Sequence, residues 1–168
     1  MKSSRAAFAI LALLWVGFAA CVWLTSAHLP DRVATHFDMQ GRPNDWMTRT
    51  GHVQCTLFFG LITPAFVIGI FATMRCFGAQ WVNLPHKDYW LASERRKQTF
   101  DYLQCQGVWF AGLFIVFLSG IQYWIVTANA RTPVSLPASD MGWIAGGFAV
   151  ATLVWVARLI VHFYRRPA

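Results

Sequence analysis

The sequence has few charged residues and lacks several patterns that would announce a soluble enzyme. Only 12% of its 168 residues are Asp, Glu, Lys or Arg, whereas a typical soluble domain has roughly 25%. It has no P-loop, no dinucleotide-binding glycine pattern, no internal repeat and no CxxC pair. These absences remove the sequence signals of nucleotide-dependent enzymes, thiol redox enzymes and repeat scaffolds. What is abundant instead is apolar residues, at 57% of the chain.

The apolar residues are concentrated in four runs that contain a single charged residue, Arg158. The runs cover residues 6–27, 53–74, 108–127 and 141–161. A helix of about 20 residues spans roughly 30 Å, which is the thickness of a bilayer's hydrocarbon core. A chain of 168 residues could not surround four such helices with polar protein. The sequence therefore predicts an all-α integral membrane four-helix bundle, formed as a single membrane domain over residues 1–168, with the lipid bilayer as its main partner.

The first apolar run has an alternative interpretation as a signal peptide. Lys2 and Arg5 precede it, and Thr25-Ser26-Ala27 loosely resembles a small-residue cleavage site. The run is 22 residues long, whereas the apolar region of a signal peptide has about 7–15. We therefore expect an uncleaved transmembrane helix.

The uneven distribution of Lys and Arg predicts the orientation. Ten of them lie in the N-terminal segment, the second loop and the C-terminal end, and four lie in the first and third loops. Because cytoplasmic loops carry the excess of positive charge, both termini are expected in the cytoplasm of a cell whose inner membrane holds the protein. The first loop, 28–52, is then outside and the second, 75–107, is inside. The net charge of +7 reflects this topology and attraction to anionic lipid, so we expect no nucleic-acid partner.

Small residues in the last two runs predict a packing face. Gly142 and Gly146 have GxxxG spacing in the fourth run, and Gly107 and Ala111 have the same spacing in the third. Such residues let two helix backbones approach closely. They predict packing of the third helix on the fourth, with a face for a homo-oligomer as the alternative.

The cysteines and the absence of acidic residues and lysines in the apolar runs limit the chemistry that the sequence supports. Cys21, Cys55, Cys76 and Cys105 are expected to act as small apolar side chains, with a disulfide between Cys21 and Cys55 as the alternative. No Asp, Glu or Lys lies within the four runs. Ion pumps and proton relays usually need such groups, so the sequence argues against a coupled transporter and leaves an accessory transporter subunit open.

The first loop has the composition of a folded cap over the helix ends. The segment 33–37 favours a short strand, and Gly41 and Pro43-Asn44-Asp45 are typical of turns. Three acidic and three basic residues alternate along the loop, so its charge sums to zero. We expect an internally paired loop that offers candidate contacts for a ligand or partner at His36, Asp38, Gly41, Asn44 and Trp46.

His36 and Asp38 are candidate ligands of a metal ion. Two residues apart on an extended segment, they point the same way, and with His28 they could hold a metal ion. Zinc usually takes three or four protein ligands, and the third is weakly supported here. The alternative is that Asp38 caps the turn at Gly41 and His36 lies at the interface, so no metal and no cofactor are expected.

The first loop resembles a known signature. A bacterial membrane domain of unknown function, which also forms the N-terminal part of Sdp-type toxin-immunity and signalling proteins, has a pattern similar to Leu29-Pro30-x-x-Val33-x-x-His36-Phe37-Asp38-x-x-Gly41-x-Pro43-Asn44-x-Trp46. A second segment of that family is similar to Asn83-Leu84-Pro85-x-Lys87-Asp88-Tyr89-Trp90-x-x-x-Glu94-Arg95-Arg96. Together these matches cover roughly the first hundred residues. The immunity proteins have further membrane helices without a counterpart here, so the resemblance implies fold and location more than immunity.

The second loop predicts an interfacial elbow. Pro85 disfavours helix at Leu84, and Ser93 can cap a helix that begins near Glu94. One interpretation is an elbow whose charges only set topology, and the other is a docking site for a cytoplasmic protein or an anionic ligand. The candidate residues for docking are Asn83, Lys87, Asp88, Trp90, Glu94, Arg95 and Arg96.

The leading functional hypothesis is a non-enzymatic sensor, immunity or interaction module. Its outer loop would meet a ligand or toxin and its inner loop a partner. The alternatives are an accessory transporter subunit and a membrane enzyme that uses His36 and Asp38 as acid–base or metal groups. In such an enzyme the basic residues of the inner loop would bind an anionic substrate, but they lie roughly a bilayer away from His36.

Overall fold

The structure, a computed structural model, describes residues 2–76 and 82–165. The elements follow in the order α1 Lys2–Ser26, β1 Arg32–Phe37, β2 Pro43–Thr48, α2 Arg49–Thr73, α3 Lys87–Trp90, α4 Ser93–Asn129 and α5 Ala138–Tyr164. Residues 77–81 of the predicted second loop lie outside the described residues. The helices α1, α2, α4 and α5 are long and apolar enough to cross a membrane. This confirms the predicted all-α membrane bundle with four spans.

The third span is longer than its apolar run. Helix α4 has 37 residues and begins at Ser93, whereas the apolar run begins at Val108. Hydropathy marks only the part of a helix that lies in lipid, while good helix formers such as Glu94 and Arg95 continue it into the polar region. At about 1.5 Å per residue, α4 is roughly 55 Å long and exceeds the hydrocarbon core. The last part of the predicted cytoplasmic loop, residues 93–107, is therefore helix.

Helix α4 is the centre of the bundle. Its Val108 and Ile115 pack against Leu11, Phe18 and Val22 of α1 in one buried cluster. These residues recur at spacings of seven and four, which places them on one face of each helix. Helix α2 packs on a neighbouring face of α4 and α5 on a further one, so α4 contacts every other span.

The small residues of the last two spans do not meet each other. A Cβ atom on Gly107 of α4 would lie 2.6 Å from the Phe71 ring of α2, while one on Gly142 or Gly146 of α5 would have no atom of the described chain within 4 Å. Ala111 is buried against α1. The prediction that these faces pack helix three on helix four is wrong, because Gly107 faces α2 and Ala111 packs with α1. The homo-oligomer alternative for Gly142 and Gly146 stays a prediction.

Helices α4 and α5 pack through other side chains. A Cβ on Gly120 would lie 2.7 Å from Ile144. The rings of Phe117 and Phe148 stack with centroids 4.3 Å apart and an interplanar angle of 20°. Bulky aromatic side chains therefore fill the space between these two helices where close backbone contact was expected.

The first loop forms an antiparallel β-hairpin. Strand β1 contains the predicted segment 33–37, and it pairs with β2 from Arg32 opposite Thr48 to Phe37 opposite Pro43. The turn lies at residues 38–42, so the prediction of a turn at Pro43-Asn44-Asp45 is wrong. Proline is tolerated at the first residue of an edge strand, and the side chain of Asp38 has already formed the turn.

The second loop ends in a short helix and the start of α4. Ser93 is the first residue of α4 and Ala92 is its N-cap. Ser93 Oγ donates to Glu94 Oε1 at 2.8 Å, so the prediction that Ser93 caps the helix is wrong by one position. Thr99 Oγ1 donates to the carbonyl of Trp90 at 2.8 Å, which fixes α3 against α4.

All four cysteines have free thiols. Cys21, Cys55 and Cys76 are exposed on the bundle surface, and Cys105 is partly buried. The structure therefore contains no disulfide between Cys21 and Cys55.

Candidate functional site

The β-hairpin with its entry segment, residues 28–48, is termed the hairpin cap, and a buried asparagine at the end of α4 holds it. The amide of Ala34 donates to Asn129 Oδ1 at 2.9 Å, and Asn129 Nδ2 donates to the carbonyl of Ala34 at 2.9 Å and to that of Ile125 at 2.8 Å. Ala34 is fully buried. The Asn129 amide thus replaces a neighbouring strand on the second edge of β1, where unpaired backbone groups would be costly.

The tip of the hairpin cap is fixed to the loop between α4 and α5. The amide of Leu136 donates to the carbonyl of Gly41 at 2.9 Å. Gly41 has a φ of +75°, and a Cβ atom there would overlap the carbonyl oxygen of Leu136. Only glycine satisfies both the left-handed backbone and this close approach.

The base of the hairpin cap is fixed by Arg49, the first residue of α2. Its amide donates to the carbonyl of Asp31 at 2.9 Å. Its guanidinium donates to the carbonyl of Leu29 at 3.1 Å and to Asp31 Oδ1 at 3.0 Å. Leu29 and Val33 are buried against Ile125 of α4. The cap is therefore tied to the bundle at its base, middle and tip.

Asp38 forms the turn of the hairpin. Its Oδ1 accepts the amides of Gln40 at 2.9 Å and Arg42 at 2.8 Å, and its Oδ2 accepts Arg42 Nε at 2.9 Å. The backbone N–H of Arg42 in the first place, and its guanidinium after that, hold the pKa of the Asp38 carboxyl below its ordinary value. The structure thus shows the turn-capping role that was one of the two interpretations of Asp38.

His36 is not joined to Asp38. Its Nδ1 lies 3.7 Å from Asp45 Oδ2 on the opposite strand, and both side chains are 67% exposed. Within residues 2–76 and 82–165, no three His, Cys, Asp or Glu side chains are placed to hold a metal ion. The hairpin cap therefore pairs His36 with Asp45 across the strands, and Asp38 serves the turn.

The outward surface of the hairpin cap is polar and accessible. His36, Asn44 and Asp45 are exposed, and Met39 at the turn is 87% exposed. Trp46 is half-buried, and the guanidinium of Arg32 lies 5.5 Å from its ring centroid. Of the five outer candidates, Asp38 and Gly41 shape the cap, while His36, Asn44 and Trp46 form its accessible surface.

A buried polar network lies directly beneath the hairpin cap. His52 Nε2 is 2.9 Å from Gln122 Oε1, and Gln122 Nε2 donates to Thr25 Oγ1 at 2.9 Å and to Ser26 Oγ at 3.2 Å. These residues join α1, α2 and α4, and His52, Gln122 and Ser26 are buried. In a membrane such bonds hold helices in register because lipid offers no replacement partner. In the sequence, the only sign of this network is that polar residues lie at the same end of three apolar runs.

The seven inner candidates do not form one cluster. Trp90 turns inwards, and its Nε1 donates to the carbonyl of Phe163 in α5 at 2.9 Å. Arg95 lies over the Tyr89 ring at 4.1 Å, and Arg96 lies 5.8 Å from the centroid of the Phe100 ring. Of the remaining four, Lys87 is half-buried and three are exposed, namely Asn83, Asp88 and Glu94.

Sequence reasoning missed a histidine at the end of α5. The His162 ring stacks on Tyr102 with centroids 3.9 Å apart and on Trp90 with centroids 5.2 Å apart. This aromatic stack joins α3, α4 and α5 at the end of the bundle opposite the hairpin cap. Thr99 near α3 and Asn129 beneath the cap are 30 residues apart in one helix, which separates the two ends by roughly 45 Å. Side chains of the hairpin cap and side chains of the aromatic stack therefore cannot act together on one small substrate.

Comparison with protein families identifies one match. The model of a family described as Domain of unknown function (DUF1648) matches residues 9–60. This segment contains most of α1, the hairpin cap and the first half of α2. Asn129, which holds the cap, and helix α5 lie beyond it. Comparisons with curated proteins and with solved structures gave no match. The match to this family is therefore confined to residues 9–60, and two further spans follow it.

Proposed function

We propose that this protein is a non-enzymatic sensor, immunity or interaction module of a bacterial inner membrane. Its hairpin cap contacts a ligand or a protein outside the cell, and the segment around α3 contacts a partner inside. The observation that carries this proposal is the fixation of the cap at three points beneath an accessible surface of His36, Asn44 and Asp45. A surface held in one conformation loses little entropy on binding.

The charge distribution supports the orientation. In the sequence, ten Lys and Arg residues fall in the N-terminal segment, the second loop and the C-terminal segment, and four fall in the first and third loops. The positive-inside rule then favours a position of the cap outside the cell. A recognition surface outside and an elbow inside are the arrangement that a sensor or an immunity protein needs.

The membrane-enzyme alternative has less support. Asp38 is engaged by two backbone amides and a guanidinium, so it is a weak base with little freedom to move. The basic residues near α3 lie roughly 45 Å from the cap. An accessory role in a transporter remains the alternative that co-purification in mild detergent would test.

Photo-crosslinking from the hairpin cap tests the proposal. We expect p-benzoylphenylalanine at Asn44 to give a discrete protein crosslink in living cells, because Asn44 is exposed on the rigid cap. The double variant His36→Ala/Asp45→Ala should weaken that crosslink at least tenfold, since about 1.4 kcal/mol of lost contact lowers affinity tenfold.

The matched control places the same probe at Leu153, which is 68% exposed on α5 and should face lipid. The protein captured at Asn44 should be absent there and should co-purify with the wild-type chain. If Asn44 and Leu153 give the same products, or if the double variant crosslinks as well as the wild type, the cap is not a recognition surface.

A further inference from the structure

A large groove lies between α4 and α5 at the end of the bundle that carries α3. Its volume is about 1270 Å³, which exceeds the roughly 300–1,000 Å³ of most small-molecule sites. Four aromatic side chains line it, those of Trp90, Tyr102, Trp109 and Trp155. The groove is open along the side of the bundle, so a long molecule could enter it from the surrounding lipid.

Two arginines supply the groove with positive charge, one within α5 and one directly after its last residue. Arg158 and Arg165 both line it, and His162 lies between them. Arg158 and His162 are four residues apart and therefore lie on one side of α5, and Arg165 is the C-cap residue directly after it. Both arginines are exposed, and none of the ion pairs seen in the described part of the chain includes either of them. Among the described residues, no Asp or Glu lines the groove, so its two permanent cations have no internal counterion.

The chemistry of the groove changes along its length. Leu113, Ala151 and Val154 line it towards the middle of the membrane, whereas Arg158 and Arg165 lie towards the end of α5. A water-soluble anion would leave the apolar part empty, and a neutral lipid would leave the arginines without an acceptor. An anionic phospholipid satisfies both parts, because guanidinium groups bind phosphate through two parallel hydrogen bonds and the acyl chain covers the apolar wall.

The wall of the groove is already formed. His162 is held by stacking on Tyr102 and Trp90, and Trp90 is fixed by hydrogen bonds to the carbonyl of Phe163 and from Thr99. Tryptophan and tyrosine side chains favour the depth of the lipid head groups. Basic pockets between transmembrane helices at that depth bind anionic head groups. From these observations we propose that the groove between α4 and α5 binds one anionic glycerophospholipid, with its phosphate at Arg158 and Arg165.

Fluorescence quenching by brominated lipid in nanodiscs tests the proposal, since three tryptophans line the groove. At equal mole fraction, we expect brominated phosphatidylglycerol to quench with an apparent affinity at least tenfold higher than brominated phosphatidylcholine. The variants Arg158→Gln and Arg165→Gln should each reduce this preference about fivefold, as removal of one basic residue near anionic lipid does. The double variant should abolish it.

Two further variants separate the groove from general attraction to anionic lipid. Arg5→Gln removes an exposed arginine of α1 near the same end of the bundle and should leave the preference unchanged. Ala151→Phe keeps both arginines, adds no tryptophan, fills the apolar part of the groove and should abolish the preference, which also covers the case in which the double variant fails to fold.

Three results would overturn the proposal. The first is equal quenching by the two lipids, and the second is an effect of Arg5→Gln as large as that of Arg158→Gln. The third is displacement of the lipid by millimolar glycerol phosphate alone, since that would identify the ligand as a soluble anion.

Discussion

Replacement of Gly41 by alanine should release the hairpin cap from the bundle. A non-glycine residue in the left-handed region costs about 1–2 kcal/mol, and the φ of Gly41 is +75°. The new Cβ would also overlap the backbone oxygen of Leu136, which cannot move aside as a flexible side chain would. The hydrogen bond from Leu136 to Gly41 would be lost as well. We expect a total cost of roughly 3–5 kcal/mol, measured as the free energy of unfolding in mixed detergent micelles.

The control for this prediction is Gly69→Ala. Gly69 lies inside α2, and among the residues that the structure describes no neighbouring side chain or other element lies within 4 Å of a Cβ there. Alanine is a better helix former than glycine by about 1 kcal/mol, so this variant should be as stable as the wild type or slightly more stable. If Gly41→Ala and Gly69→Ala have the same stability, the contact between the cap and the loop after α4 is absent in the protein.

Substitution of Asn129 by leucine should release β1 from α4 while the four spans stay intact. The change removes both hydrogen bonds to the buried backbone of Ala34. Each buried backbone group left without a partner costs about 1–3 kcal/mol, so the hairpin cap should be destabilised by roughly 2–6 kcal/mol. Leucine is compatible with a membrane helix, and α4 itself should remain formed. Hydrogen exchange in nanodiscs should show at least a thirtyfold faster exchange across residues 32–37.

Thr127→Val provides the matched control for Asn129→Leu. Thr127 lies two residues earlier in α4, and its Oγ1 donates to carbonyls of its own helix, those of Tyr123 and Trp124. The variant removes a polar group at nearly the same depth without touching the cap. Equal exchange of residues 32–37 in the two variants would show that Asn129 does not hold the hairpin.

Much of the fold could be predicted from the sequence because lipid imposes a simple rule. A span must be a long apolar helix, since an unpaired backbone group is too costly in hydrocarbon. That rule located all four spans, and the strand preference of residues 33–37 located β1. The rule for apolar spans did not reveal the true start of α4, because the residues from Ser93 onwards are helical but polar.

The candidate site was less predictable because its main contacts join distant residues. The amide of Ala34 and the side chain of Asn129 are 95 residues apart, and no local pattern in either segment announces the bond. Gly41 was identified as a turn residue, but the reason that it must be glycine lies in Leu136, in another loop. Gly107 is a further example, because its small size leaves room for the Phe71 ring of α2 and does not bring α5 closer.

The pairing of chemistry-bearing residues also depended on the three-dimensional register. His36 and Asp38 are close in sequence and looked like partners. In the structure the bulge in the hairpin aligns His36 with Asp45, while Asp38 bonds within its own turn. His162 had no sequence signal at all, because its partners Tyr102 and Trp90 come from two other elements.

Single-cysteine labelling tests most directly the proposed orientation of the four-span bundle, with the hairpin cap outside and the α3 end inside. The four native cysteines would be replaced by alanine, and one new cysteine placed at Met39 in the cap or at Gln98 near the start of α4, both exposed. A membrane-impermeant maleimide should label Met39→Cys in intact spheroplasts and Gln98→Cys only after permeabilisation. Labelling of Gln98→Cys in intact spheroplasts, with Met39→Cys protected, would contradict the account.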